Sequence, residues 1–501
     1  MKRRPMNVRK CPLLLAPLAM LAACTLAPDY HRPALPVPGA FPDAGALPAP
    51  GAAHGAGTPA VPATPIAAEL GWRDFLRDAR LQRLVELALD NNRDLRVAVL
   101  NVEAARAQYG VERAALFPTV TANAAAARGR GSLSVYEPGA TAGNVFSAYV
   151  SASWEIDLFG RVRSLEKAAL EQYLASEQSR KAAQLLLVAE VSDQYFTVLA
   201  AEESLKVTDA TLQYADDTFR LTQLRFDNGT GSELDLREAQ GALEQARAQR
   251  AAEERARAQG QNALQLLVGT ALPADLPPPM RLEDQDLASD IPAGLPSALV
   301  ERRPDVLAAE DELIAANANI GAARAAFFPQ ISLTGAAGAI SPALSKLFQS
   351  GNRAWSVSPG ATLPLFNGGL NSANLEAAKA QRDIAVAQYE KSIQTAFREV
   401  ADGLVARASY DEQVQALDRL VAAQERRLVL SRLRYQTGVD SYLTLLTAQT
   451  DLNTAQLSRV SASLDRLTNL VTLYQSLGGG WLERQALASP NTPGAPGDSK
   501  P

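Results

Sequence analysis

Residues 161–227 read RVRSLEKAALEQYLASEQSRKAAQLLLVAEVSDQYFTVLAAEESLKVTDATLQYADDTFRLTQLRFD, 67 positions without a glycine or a proline. Both residues weaken a helix interior, proline by about 3 kcal/mol and glycine by about 1. A run that avoids them for so long is open to uninterrupted helix. Alanine, leucine and valine recur at helical spacing, with Arg, Glu, Gln and Asp on the remaining faces. That pattern describes a helix with a narrow apolar seam, as in a coiled coil. At 1.5 Å per residue the segment would extend roughly 100 Å, whereas a compact globule of this chain would be about 60 Å across. A rod is therefore predicted, and a soluble helical rod satisfies this segment taken alone.

Working outward, Asn228-Gly229-Thr230-Gly231 reverses the chain into a second helix over 232–268. The same arrangement returns as a helix over 370–437, a turn at Gly438 and a helix over 439–477. Further landmarks repeat in the same order. Ala114-Ala115-Leu116-Phe117-Pro118 returns as Ala325-Ala326-Phe327-Phe328-Pro329, and Asp157-Leu158-Phe159-Gly160 as Pro364-Leu365-Phe366-Asn367. Arg225-Phe226-Asp227-Asn228-Gly229 returns as Arg434-Tyr435-Gln436-Thr437-Gly438, and Leu266 to Gly269 as Leu473 to Gly478. A nearly constant offset across these landmarks marks a duplicated unit of about 210 residues. The copies are assigned to 67–272 and 297–480, joined by a proline-rich connector over 273–296. Of 30 prolines, ten fall in 28–65 and none in 139–272 or 365–489, which leaves the predicted helix pairs unbroken.

Each copy opens with a predicted helix, over 80–115 and 297–326, ending before Phe-Pro because proline disfavours helix in the residue it follows. Two strands come next. Residues 147–158 alternate cleanly, with Ala148, Val150, Ala152, Trp154 and Ile156 against Ser147, Tyr149, Ser151, Ser153 and Glu155. Residues 118–127, 330–338 and 355–365 show weaker versions. One apolar and one polar face suit a strand with lipid on one side and water on the other; the periodicity alone also fits one edge of a soluble sheet. Four strands cannot close a barrel, and open edges in a bilayer leave backbone groups unpaired at several kcal/mol each. Subunits must then contribute four strands each to a closed barrel.

The chain begins with Lys2, Arg3, Arg4, Arg9 and Lys10, then an apolar stretch too short to span a bilayer, then Leu21-Ala22-Ala23-Cys24. This is the form of a secretory signal over 1–23. Leu-Ala-Ala-Cys also resembles the lipobox of bacterial lipoproteins, which implies acylation of Cys24 (palmitate among the chains); an ordinary signal peptide with a chance cysteine is the alternative. Thr25 follows where an aspartate often holds a lipoprotein at the inner membrane, so the outer membrane is expected. Net charge is −5, and −10 once 1–23 and its five basic residues are removed, which argues against nucleic acid. Residues 24–66 read as a lipid anchor and an extended Pro/Ala/Gly-rich segment, and 481–501 as a flexible tail. The two histidines, His31 and His54, lie in that segment without cysteine or paired carboxylates nearby, and only two cysteines are present. No metal site, catalytic constellation, cofactor or Walker A loop is expected.

Several runs resemble the TolC-type outer-membrane efflux factors, in the lipoprotein branch called NodT or OprM-like. They include Cys24-Thr25-Leu26-Ala27-Pro28-Asp29-Tyr30, Trp72-Arg73-Asp74-Phe75, and Leu89-Asp90-Asn91-Asn92-Arg93-Asp94-Leu95. The most specific is Gly294-Leu295-Pro296-Ser297 to Glu301-Arg302-Arg303-Pro304-Asp305, continuing through Ala316-Asn317-Ala318-Asn319-Ile320-Gly321 to Phe327-Phe328-Pro329. The resemblance implies a mainly α fold with a transmembrane β-barrel. Three chains would form a 12-stranded barrel above a periplasmic α-barrel of 12 helices, with a mixed equatorial belt that includes 273–296. It implies a passive duct, not an enzyme, that exports small molecules such as drugs. A periplasmic adaptor and an inner-membrane pump of the resistance-nodulation-division class would deliver them. A protein-secretion duct of the same fold and a structural coiled-coil lipoprotein are the alternatives; the latter predicts no strands.

By position, the two reversals would form the periplasmic tip and take the adaptor: Gly229, Thr230, Ser232 and Leu234 in the first, Gly438, Val439 and Ser441 in the second. Ser232 and Ser441 fit as N-caps of the returning helices. The family often reads Leu-Leu-Asp-Ala-Gln after the second reversal, with the aspartate closing the entrance. Here Leu445-Leu446-Thr447-Ala448-Gln449-Thr450 puts threonine there. The gate is instead expected from rings of Leu443, threonine hydrogen bonds at Thr447 and Thr450, and an acidic mouth at Asp440, with Asp235 a weaker candidate for the same role.

Overall fold

The computed structural model describes residues 25–41, 70–129, 143–287 and 297–479. In chain order the elements are α1 (Trp72–Phe75), α2 (Ala79–Asn91), α3 (Arg93–Ala114), β1 (Thr119–Gly129), β2 (Gly143–Ile156), α4 (Arg161–Asp227) and α5 (Glu233–Val268). After the connector come α6 (Pro304–Ala325), β3 (Gln330–Ser341), β4 (Arg353–Thr362), α7 (Leu370–Gln436) and α8 (Tyr442–Ser476). The order helix, two strands, long helix, returning helix thus occurs twice. The glycine- and proline-free run is a single 67-residue helix, and so is its counterpart α7. The proposed signal, Cys24 and the tail lie outside the described residues, as do 42–69 and 288–296. No described helix is long and apolar enough to cross a membrane.

Continuous opening helices over 80–115 and 297–326 do not form. The first breaks at Asn92, and the second starts only at Pro304, whose ring disfavours helix at Arg303. At each break a side chain reaches the end of a returning helix. At Asn92 the backbone turns extended (ψ 134°) and separates α2 from α3. Its side-chain amide donates to the Leu267 carbonyl at 2.8 Å, and its side-chain oxygen accepts from Leu95 N–H at 2.9 Å. In the second copy a 3₁₀ turn (Ser297–Arg302) precedes α6, which starts at Pro304. There Arg303 donates to the Ser476 carbonyl at 3.0 Å. Leu267 and Ser476 stand in the last turns of the two returning helices, whose last carbonyls have no partner within the helix. Each break places a side chain where it satisfies one of them.

The described chain forms two units. The first comprises Met1–Ala34, Leu100–Gln178 and Leu307–Lys391. It holds an antiparallel sheet in the order β1-β2-β3-β4, whose strands run slightly longer than the alternation marked in β1 and β3. The register sorts the side chains into two faces. Val120, Val150, Ala337 and Trp355 share one face with Trp154, Leu333 and Pro359. Thr121, Ser151, Ser153, Thr334 and Ser358 share the other. On the polar face Asn123 donates to Thr121 and Ser151, whose hydroxyls meet at 2.8 Å. The outer edges of β1 and β4 pair with no strand among the described residues.

In the same unit, residues after position 24 run along α6. Arg32 makes two 2.7 Å hydrogen bonds to the Glu310 carboxylate, and the Tyr30 hydroxyl donates to it at 3.0 Å. Asn317 donates to the Pro28 carbonyl and Arg324 to that of Leu26. Gly321 permits this close approach: a Cβ there would lie 2.8 Å from Ala27 N and 2.7 Å from Ser164 Oγ. The run read as Asn317 to Gly321 in sequence is thus the seat of the N-terminal segment.

The second unit comprises Leu35–Val99, Ser179–Val306 and Ser392–Pro501. Its two helix pairs carry matching cross-links. Arg250 of α5 pairs with Asp209 of α4, and Arg459 of α8 with Asp418 of α7, both at 2.6 Å and at corresponding places in the repeat. At a second matched level the polarity is reversed. Gln194 of α4 donates to the Gly260 carbonyl of α5, whereas Asn469 of α8 donates to the Gly403 carbonyl of α7. Near the helix ends, buried Asp78 caps α2 and also accepts from the Tyr195 hydroxyl and from Gln285. Phe75 stacks on Tyr474 at 3.9 Å, and both rings are buried.

One carboxyl in this unit lacks such support. Asp193 Oδ1 is buried with no hydrogen-bond partner. Burial, and secondly the charge of Glu190, push Asp193 up to about 7. The folded chain therefore holds a proton that the unfolded chain has already lost, so this group's contribution falls as pH rises from about 4 towards 7. Asp193→Asn is expected to raise the thermal midpoint at pH 8 by several degrees and to change it little at pH 4. Equal effects at the two pH values would count against an ionisation-linked cost.

Candidate functional site

The two reversals of the second unit form the candidate site. Gly229 (φ +71°) and Gly438 (φ +77°) take the left-handed conformation that a Cβ resists. Both turns close alike: Thr230 N–H bonds the Arg225 carbonyl, and Val439 N–H that of Arg434, each at 2.9 Å. These bonds satisfy carbonyls left open at the ends of α4 and α7. Ser232 caps α5 as expected, its hydroxyl accepting from Leu234 N–H at 3.0 Å. Ser441 does not cap α8 in that way. It occupies the N-cap position with no side-chain cap bond, because its hydroxyl meets the Thr444 hydroxyl at 3.3 Å instead. In consequence α8 starts at Tyr442, later than the expected 439, with Val439 and Asp440 still in the turn.

Leu234, Val439 and Leu443 are all more than half exposed, so bare apolar side chains flank both tight turns. Thr230 is exposed, its hydroxyl donating to the Arg225 carbonyl. Thr447 and Thr450 donate to the carbonyls of Leu443 and Leu446 in their own helix, so their protons are already engaged within the chain. Asp235 lies in the first turn of α5, where a negative charge is favoured by the positive helix end.

The expected acidic mouth changes character in the structure. Arg434 grips Asp440 with two hydrogen bonds, 2.7 and 2.8 Å long. Those bonds hold the Asp440 carboxyl below the usual carboxylate range and raise the guanidinium in turn. Sequence reading missed Arg434, although it stands in a repeated landmark six residues before Asp440. It also missed the links between the turns. The Arg225 guanidinium lies 4.8 Å from the Tyr435 ring centre, and Tyr435 meets buried Tyr442 at 5.9 Å. Tyr442, Tyr435 and Leu445 pack on Ala239 of α5. Burial first, then Tyr435, Glu238 and Asp235, push the Tyr442 hydroxyl up to about 12. No group of three or more potential metal ligands occurs among the described residues.

This combination of paired helices ending in glycine reversals and a two-faced sheet defines a channel-forming class. The family model for outer membrane efflux proteins matches residues 84–270 and again 295–479, and the chain belongs to that family. It is 45% identical over 472 residues to the toluene efflux pump outer membrane protein TtgC of Pseudomonas putida, covering 94% of this chain and 95% of that one. It is 44% identical over 469 residues to outer membrane protein OprJ of Pseudomonas aeruginosa, with 93% and 95% covered. Among solved structures, the open state of the Neisseria gonorrhoeae MtrE outer membrane channel superposes with a TM-score of 0.81 at 40% identity, over 91% of this chain and 99% of that one. The chain is thus mainly helical with an internal repeat and shares the fold of outer-membrane efflux channels.

Proposed function

We propose that the chain is the passive outer-membrane duct of a three-part efflux system, working as a homotrimer. The observation that carries the reading is the sheet with one apolar face, one polar face and two unpaired edges. Unpaired backbone in lipid is costly, and three copies joined edge to edge would close 12 strands with no edge left. The apolar face would meet lipid and the polar face the aqueous passage. Acylation of Cys24 would add a second hold on the membrane, and the Glu310 clamp would fix where the anchored segment leaves the helices. The boundaries proposed for the parts are 1–23 signal, 24–66 anchor, 67–272 and 297–480 repeats, 273–296 connector and 481–501 tail.

The chain would perform no catalysis and need no cofactor; an inner-membrane pump, of the resistance-nodulation-division class, would supply the energy. The exposed Leu234 and Val439 beside the glycine turns would receive the adaptor's apolar side chains. Leu443 would narrow the entrance, and Arg434 with Asp440 would set its field. Because the two charges are matched, removing either should tip the mouth in opposite directions. In planar bilayers Asp440→Ala is expected to lower cation selectivity and weaken block by divalent cations, while Arg434→Ala raises both. Unchanged reversal potentials in both variants would remove this pair from the entrance. Export itself is tested by deleting the gene and measuring susceptibility to drugs, detergents and organic solvents. Sensitisation restored by the wild-type chain is expected; a full panel without change, in a strain lacking other ducts, would count against the reading.

A further inference from the structure

Between the two helix pairs of the second unit, α4 with α5 and α7 with α8, lies a crevice of about 690 Å³. That volume falls in the range of sites that take organic ligands. Its walls combine alanine, leucine and valine side chains with neutral amides such as Gln449 and Asn453, and with the ring of Tyr214. The single charged group lining it is the Glu425 carboxylate; no lysine, arginine or histidine reaches it. Glu425 has no hydrogen-bond or ion-pair partner among the described residues.

Gly241 supplies a second, independent observation. Glycine weakens the interior of a helix, and in helices it is usually excused by a close neighbour or a turn. Neither applies here: Gly241 lies inside α5, and a Cβ added to it would meet no heavy atom within 4 Å. What the missing side chain does is leave the crevice open at its wall.

We propose that this crevice binds a lipophilic organic cation, its apolar body against the helix walls and its positive centre shared between Glu425 and the face of Tyr214. Opposite charge selects the ligand's sign, and the aromatic face favours a diffuse cation over a small hydrated one. The amides orient it without adding competing charge. The crevice begins beside the entrance, where Leu446 and Thr450 line it, and runs along the helices away from the glycine turns. Binding there is a property distinct from conduction, goes beyond the duct reading and does not rest on it.

Tetraphenylphosphonium is a suitable probe, with tetraphenylborate as its counterpart of equal shape and opposite charge. Binding of labelled tetraphenylphosphonium to the purified full-length protein in nanodiscs, with empty discs subtracted, should saturate at one molecule per chain. Glu425→Gln should weaken it about tenfold. Gly241→Leu places a side chain in the open space and strengthens the helix, so it should keep or raise the thermal midpoint while abolishing saturable binding. Tetraphenylborate should not compete. Binding that fails to saturate, survives Gly241→Leu, ignores Glu425→Gln or yields equally to tetraphenylborate overturns the proposal. Should Gly241→Leu not fold, the Glu425→Gln variant and the anion competition decide alone. No transport is measured, so a negative result leaves the duct reading untouched.

Discussion

Replacing Arg303 with methionine is expected to lower the folded chain in the outer membrane severalfold, a larger loss than any substitution at the reversals. The Arg303 side chain is only 10% exposed and serves three partners at once. It bonds Asp305 at 3.0 and 2.7 Å, Glu399 at 2.9 Å and the Ser476 carbonyl at 3.0 Å. Burial opposes the charge, yet the hydrogen bonds and charges of Asp305 and Glu399 outweigh it and hold the guanidinium above its ordinary value. Methionine fills a similar volume but strands both carboxylates and a helix-end carbonyl. Asp305 and Glu399 keep solvent contact, at 44% and 33% exposed. The main loss is therefore the unmatched Ser476 carbonyl with weakened charge pairing, about 1–3 kcal/mol, a sizeable share of the stability of an ordinary domain. Lysine keeps the charge but not the planar fork that reaches three partners, so Arg303→Lys should recover only part of the loss. Chemical denaturation of purified protein, with membrane levels measured by immunoblot, checks the ranking. A methionine variant as stable as wild type would show that the network contributes little.

The second large effect is a contrast between neighbouring positions on β2. Val150 shares its face with Ala122 and Ala337, whereas Ser153 shares the opposite face with Thr119 and Thr334. If the apolar face meets lipid, Val150→Arg places a guanidinium in the hydrocarbon at a cost of about 2–4 kcal/mol in each copy. Ser153→Arg puts the same group into water. Heat-resistant trimers on denaturing gels should therefore be lost or greatly reduced for Val150→Arg and retained for Ser153→Arg. The reverse ranking would turn the sheet inside out and with it the proposed passage. Equal tolerance would favour a soluble sheet.

The long helices could be read from the chain because their signal is local. α4 begins and ends where glycine stops being absent, and α7 is bounded by glycines in the same way, with Gly403 the one glycine it carries through its interior. β2 was legible from alternation, while β1 and β3, built of alanine, glycine and small polar residues, showed their register only once paired. The break at Asn92 carries no proline or glycine, since its cause is the Leu267 carbonyl 175 positions away. At the reversals the glycines and Ser232 announced themselves through backbone chemistry. The pairing of Arg434 with Asp440 did not, because it crosses a turn and follows no helical or strand period. Ser441 failed as a cap for a related reason: a neighbouring hydroxyl competes for it, and composition at one position does not reveal such competition.

The reversed amide at the matched level of the two helix pairs bears on how the halves avoid confusion during folding. Long helices of similar pattern, joined in one chain, offer each returning helix a wrong partner almost as good as the right one. If α4 took α8, Gln194 would face Asn469, two bulky side chains competing for space that a glycine leaves free in the correct pairing. If α7 took α5, Gly403 would face Gly260 and leave a hollow. The correct pairings set one amide against one glycine in each case. Duplicated halves thus carry complementary rather than identical bumps and notches, so that a mispaired coil fits less well than the correct one.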